Sequence, residues 1–137
     1  MSARLGLGLV LMLGLATSIA ACAERAPEPE TTVELVAITT ARQPADFCME
    51  ALISGVLVEH PVWGLALGEP GGDQSRPIFP FRYSAVRVNG TVVLLDAEGK
   101  VVARVGDRIE SSGGSIGFEG EPGVLLCAGT IRVVPPG

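Results

Sequence analysis

The stretch "YSAVRVNGTVVLLDAEGKVVARVGDRIE", Tyr83 to Glu110, decides what kind of fold this chain adopts. Three runs rich in Val and Leu, "SAVRV", "TVVLL" and "VVARV", are separated by two groups of turn residues. Such side chains suit a pleated, half-buried surface. Asn89-Gly90 stands between the first two runs, and it is the strongest short-range signal for a type I′ hairpin because both central residues need positive φ. "DAEGK", Asp96 to Lys100, reads as a type I turn in which Gly99 supplies the left-handed residue of a bulged hairpin. The stretch therefore predicts a three-stranded meander. Gly106-Asp107 then reads as a tight corner into a further short strand.

Working outward, "EALISGVLVEH" (Glu50 to His60) reads as a long strand, with Gly55 placed where a missing side chain permits a sharp bend. "GVLLCAGTIRVV" (Gly123 to Val134) reads as another long strand, with Gly129 in a similar role, and "SSGGSIG" (Ser111 to Gly117) as a flexible glycine loop. No window supports an amphipathic helix of useful length; "DFCMEALI" at most begins with one turn. The expected fold is all-β, with one domain over residues 46–137. The bent first strand, the meander and the returning last strand resemble an OB-fold in strand order and glycine placement. That resemblance implies a small, partly closed β-barrel of about five to six strands. A β-sandwich is the alternative.

The first 22 residues carry an address. In "MSARLGLGLVLMLGLATSIAAC" one basic residue, Arg4, precedes an uncharged apolar block from Leu5 to Ala16, the n-region and h-region of a secretory signal. The block is shorter than the roughly 20 apolar residues that a spanning helix needs. "IAAC", Ile19 to Cys22, resembles the lipobox of bacterial lipoproteins: an aliphatic residue, two small ones and a cysteine, here with Ile19 where Leu is commonest. The resemblance implies a signal peptide over 1–21, cleavage before Cys22, and a thiol at Cys22 that carries diacylglyceryl lipid. Ala23 is not the Asp that favours inner-membrane retention in such families of two-membrane bacteria. A rival cleavage exists, because "ACA" (Ala21 to Ala23) fits ordinary signal peptidase and would release a soluble chain starting at Glu24.

Cysteine count points the same way. Three cysteines are an odd number for an exported chain, and assigning Cys22 to lipid leaves Cys48 and Cys127 as a pair. An oxidising compartment would let them bridge. Closing a loop of 79 positions would stabilise the fold by about 4 kcal/mol on the chain-entropy account. Two separate thiols are the alternative. A zinc site is disfavoured, since it wants about four ligands and the chain offers two cysteines and His60.

Residues 22–45 mix Pro, Glu, Thr and Ala and read as a lipidated Cys22 followed by a flexible tether, although "VELVAI" within them could form a short strand or a partner-binding segment. The whole chain carries a net charge of −5. Removing the signal takes away Arg4 alone, leaving nine basic and fifteen acidic residues, a charge of −6. The basic residues are scattered, which argues against a nucleic-acid partner.

No self-sufficient catalytic constellation is legible, and neither a cofactor nor a metal is expected. His60, beside Pro61, reads as a strand-end residue; Asp96, Glu98 and Asp107 read as solvated turn residues. The richest patch is "RPIFPFRYS", where Phe79, Phe81 and Tyr83 would share a face if the segment were extended. They serve either to plug the barrel or, with Arg82 and Trp63, to form a binding surface for an envelope protein, peptide or glycan. The functional expectation is a membrane-anchored bacterial lipoprotein facing outside the cytoplasm and acting as a non-catalytic binding or adapter module. The alternative is an accessory subunit or envelope enzyme whose active site a partner completes. Intact-mass measurement of protein extracted from the membrane fraction is expected to give a lipid-bearing chain beginning at Cys22; an unlipidated chain beginning at Glu24 overturns the anchor.

Overall fold

The computed structural model describes residues 25–69 and 71–137; the expected signal peptide and the lipidated Cys22 lie outside the described residues. The described chain is all-β. The meander forms as its turn residues dictate: β6 (Ser84–Val88), β7 (Thr91–Leu95) and β8 (Val101–Arg104) pair antiparallel in sequence order. Asn89 and Gly90 have φ of 49° and 86°, as a type I′ turn requires. At the next turn Gly99 has φ 81°, and the Asp96 carboxylate accepts hydrogen bonds from the backbone N–H groups of Glu98 (3.0 Å) and Lys100 (2.9 Å). Part of the segment expected as a spacer also contributes. "VELV" forms β1 (Val33–Val36), which pairs with β6 from Val33↔Val88 to Val36↔Ala85 and completes a four-stranded sheet.

The second sheet carries the longest strands. β2 (Ala51–His60) pairs with β9 (Arg108–Phe118) through its first half and with β3 (Gly64–Gly68) through its second. The exchange happens at Gly55 and Val56, beside the glycine read as a bend. β9 continues into a hairpin with β10 (Glu121–Leu126), while two-residue strands β4 (Gln74–Ser75), β5 (Pro77–Ile78) and β11 (Arg132–Val133) pair with β3, β10 and β9 respectively. The path runs β4-β3-β2-β9-β10-β5, and its two ends are consecutive in the chain with Arg76 alone between them. Hydrogen bonding closes neither sheet. The expected partly closed barrel thus resolves, at the level of pairing, into two open sheets with eleven strands instead of five or six. Two-residue strands are too short to show any periodicity in sequence.

One core joins the two sheets. Leu57, Leu65 and Leu67 from the long sheet meet Phe79 and the meander's inner face, Ala85, Val92, Leu94 and Ala103, with Ile109 and Leu126 completing the cluster. Each large side chain removed from water contributes about 1.5–3 kcal/mol. Across the same junction Arg87 on β6 donates to Glu59 on β2 at 2.6 Å. That hydrogen bond, followed by the attraction of the carboxylate, raises the Arg87 pKa above its ordinary value.

Two sequence readings change in this sheet. "SSGGSIG" is strand throughout, inside β9. Its glycines serve close approach: a Cβ on Gly113 would lie 2.0 Å from the Leu125 carbonyl oxygen, and one on Gly114 would lie 2.6 Å from Met49 Sδ. "GVLLCAGTIRVV" is not continuous; it breaks between β10 and β11, where Gly129 has φ 74°. Thr130 fills the break, its hydroxyl donating to the Cys127 carbonyl (2.8 Å) and accepting from the Ser112 N–H (3.1 Å). At the same place the Cys48–Cys127 disulfide, with Cα atoms 5.7 Å apart, ties the chain ahead of β2 to the end of β10. Replacing Gly113→Ala is expected to lower unfolding free energy by about 3 kcal/mol, because backbone must move to admit the methyl group. Gly117→Ala, whose Cβ meets nothing within 4 Å, should stay within about 0.5 kcal/mol of the parent in the same denaturant titration.

Candidate functional site

The aromatic patch is not an extended face. Phe79 is wholly buried, and its backbone bonds to Thr39 and Ala41 on either side. The chain then turns: the Tyr83 N–H donates to the Pro80 carbonyl at 3.1 Å, with Arg82 in the left-handed region at φ 66°. This reversal sends the three aromatics to different places. Tyr83 packs half-buried against the core. Phe81 lines a cleft of about 390 Å³ beside the disulfide, with Phe47 and Pro80, and Arg82 is exposed. Of the five residues read as a binding surface, Trp63 alone lines a second and larger opening.

That opening measures about 870 Å³ and lies where β4 and β10 part. Its origin is local chemistry. The Val124 N–H donates across the seam to the Arg76 carbonyl at 2.9 Å, and successive residues of a strand alternate their hydrogen-bonding edges. The next residue on that edge is Pro122, which has no N–H to give. The ladder between the two ends of the sheet stops there, and β10 from Glu121 to Gly123 diverges from Gln74 and Ser75. Walls of the gap are Gln74, Ser75 and Arg76 from one strand end and Ser115 to Gly117 with Glu121 to Val124 from the β9–β10 hairpin; Val62, Trp63 and Thr39 also contribute to the lining.

The β2–β3 hairpin holds Trp63 in place. His60 Nδ1 accepts hydrogen bonds from the N–H groups of Val62 and Trp63, each at 3.1 Å. The imidazole stacks on the indole with ring centroids 4.0 Å apart and planes 11° from parallel. His60 is thus the strand-end residue its sequence context suggests, with Nδ1 committed to the loop. Gly64 closes the hairpin with φ 72° and presses so near Ala37 that a Cβ would lie 2.0 Å from that carbonyl oxygen. The loop is consequently fixed from both sides.

Arg76 is positioned from two directions. Its Nε donates to Thr39 Oγ1 at 3.3 Å, and its guanidinium carbon lies 5.5 Å from the Phe118 ring centroid, a cation–π contact. Four other arginines, Arg42, Arg87, Arg108 and Arg132, each pair with a glutamate. Arg76 has no carboxylate partner among the described residues, as Arg25, Arg82 and Arg104 have none, and of these it alone lines the opening. Sequence reasoning missed Arg76, Gln74 and Pro122; a proline inside "FEGEPGVLL" is the one local sign that this strand has a free edge.

Scans against family models, curated proteins and solved structures return no match for this chain. Replacing His60→Ala removes the stack and both backbone acceptor bonds; it is expected to cost about 1–2 kcal/mol of stability. The emission of Trp63, the sole tryptophan, should shift to the red as the indole gains solvent, and unchanged emission would contradict the stacking role.

Proposed function

We propose that this chain is a lipid-anchored bacterial envelope protein whose domain is a non-catalytic binding module, and that its ligand occupies the seam between β4 and β10. The observation that carries the reading is the cleft itself: concave, partly apolar, with a few convergent polar groups and a rigidly held tryptophan, the usual anatomy of a ligand site. The lipid anchor rests on "IAAC" at Ile19 to Cys22, and the envelope location on that anchor together with the Cys48–Cys127 pair.

An OB-like barrel is the finer fold reading that accompanies this proposal. Its support is strand order. With β4 and β5 counted as one strand interrupted at Arg76, β2 neighbours β3 and β9, the interrupted strand neighbours β3 antiparallel and β10 in parallel, and β9 neighbours β10. That is a five-stranded Greek-key order with the meander inserted before the fourth strand. OB-folds bind ligands on the face of their second and third strands, between the first and last loops. Here those positions are β3, β4, the His60 to Gly64 loop and the Phe118 to Glu121 turn. The likeness is one of fold and lends weight only by analogy.

Engagement of Trp63 and loss of imidazole freedom at His60 favour binding over chemistry, because the single histidine is already used to hold the loop. A photo-crosslinking residue placed at Ser75, on the cleft wall, is expected to capture a ligand in cells expressing the full-length protein, whereas one at exposed Thr91 is not. Trp63→Ala should abolish the Ser75 adduct while leaving the far-ultraviolet spectrum unchanged, and Arg82→Ala should leave the adduct in place. Adducts at Thr91 alone, or sensitivity to Arg82 and not Trp63, would move the site elsewhere.

A further inference from the structure

We infer that the seam cleft recognises an acidic saccharide, with a sugar carboxylate on Arg76 and the apolar face of a sugar ring on Trp63. The inference rests on the seam being the ligand site. Arg76 is the cation on the cleft lining, and its Nη1 and Nη2 have no hydrogen-bond or ion-pair partner among the described residues. Neutral neighbours, the Thr39 hydroxyl and the Phe118 ring, hold the guanidinium without neutralising it. A planar fork prearranged in this way matches a carboxylate through two parallel hydrogen bonds.

The rest of the lining separates a saccharide from a peptide. An extended peptide gains affinity in such a gap by adding a strand to a free edge, through backbone hydrogen bonds. Pro122 withdraws the donor from the β10 edge, so strand addition on that wall is blunted in the way natural edges are protected, and the two-residue β4 offers only a short edge on the other. Side chains remain: Gln74, Ser75 and Ser115 offer amide and hydroxyl groups suited to sugar hydroxyls. Trp63 is stacked on His60 and lines the cleft, so a ring of C–H bonds would pack on the part of the indole that the cleft exposes. Nucleic acid fits poorly, since the lining offers one cation, Arg76, against a row of phosphates; the repulsion from Glu121 on the same lining bears on any anionic ligand alike.

The test uses the mature chain with three probes: a galacturonic acid trimer, the neutral galactose trimer, and triglutamate with a free carboxyl terminus, each followed by calorimetry and by Trp63 emission. The uronate trimer is expected to bind, with displaced Trp63 emission and with affinity that falls as salt is raised. Arg76→Gln should weaken it about ten- to a hundredfold. Arg76→Lys, which keeps the charge and loses the fork, should give an intermediate loss and serves if the glutamine variant fails to fold. Equal binding of the neutral trimer, preference for triglutamate, or no effect of either Arg76 variant would overturn the inference. So would failure of all three probes to bind. The Ser75 adduct in cells tests the site independently of the ligand's class, so an adduct without uronate binding would reject the saccharide and retain the cleft.

Discussion

The structure depends on one geometric constraint: β9 must serve three neighbours along eleven residues, and backbone must come closer to backbone than any side chain allows. Its first half lies between β2 and β11, and its second half carries β10. The handover takes place at Gly113 and Gly114, where the Leu125 carbonyl and Met49 fill the space a methyl group would need. Around this point the sheet changes partner, the disulfide closes, and Thr130 repairs the broken β10 edge. Interiors packed to this density transmit small displacements instead of absorbing them. The orientation of β10, and with it one wall of the cleft, is set there.

A second consequence concerns the seam. The ends of the six-strand path are joined through Arg76, so the sheet has to bring β4 and β10 together. One hydrogen bond, from Val124 to Arg76, draws them in; Pro122, one step further along the same edge, forbids the next. The opening is therefore built into the covalent sequence. No ligand is needed to prise it apart, and a preformed site costs less ordering entropy on binding than one that must be assembled.

The hairpins were legible because their requirements are local. Asn89-Gly90, Asp96 to Lys100 and Gly106-Asp107 each satisfy a backbone geometry that depends on a handful of neighbouring residues. The Cys48–Cys127 pair was legible by arithmetic. β9 was misread for the opposite reason: glycine marks both flexible loops and close approaches, and only the partner backbone distinguishes them. The aromatic patch failed at Arg82, whose left-handed conformation ends the extended run and has no signature in the residue type. The seam was invisible because its walls come from residues about forty positions apart and from strands two residues long.

Electrostatics adds the last step. A chain of net charge −5 would repel an anionic ligand at long range, yet charges separated by more than about 8 Å are largely screened at physiological salt. What matters inside the cleft is the nearest charge. Four arginines on the outer surface are matched by glutamates, while Arg25, Arg82, Lys100 and Arg104 are exposed with no carboxylate partner among the described residues. Arg76 is held by a hydroxyl and an aromatic ring, which orient its guanidinium and leave the charge uncancelled. An acidic protein can thus keep an oriented cationic contact on the wall of a cleft. Under the proposed reading, selectivity for a small acidic group comes from the orientation of the half-buried Arg76 guanidinium and from the neutral groups that hold it, not from its being the one unpaired cation.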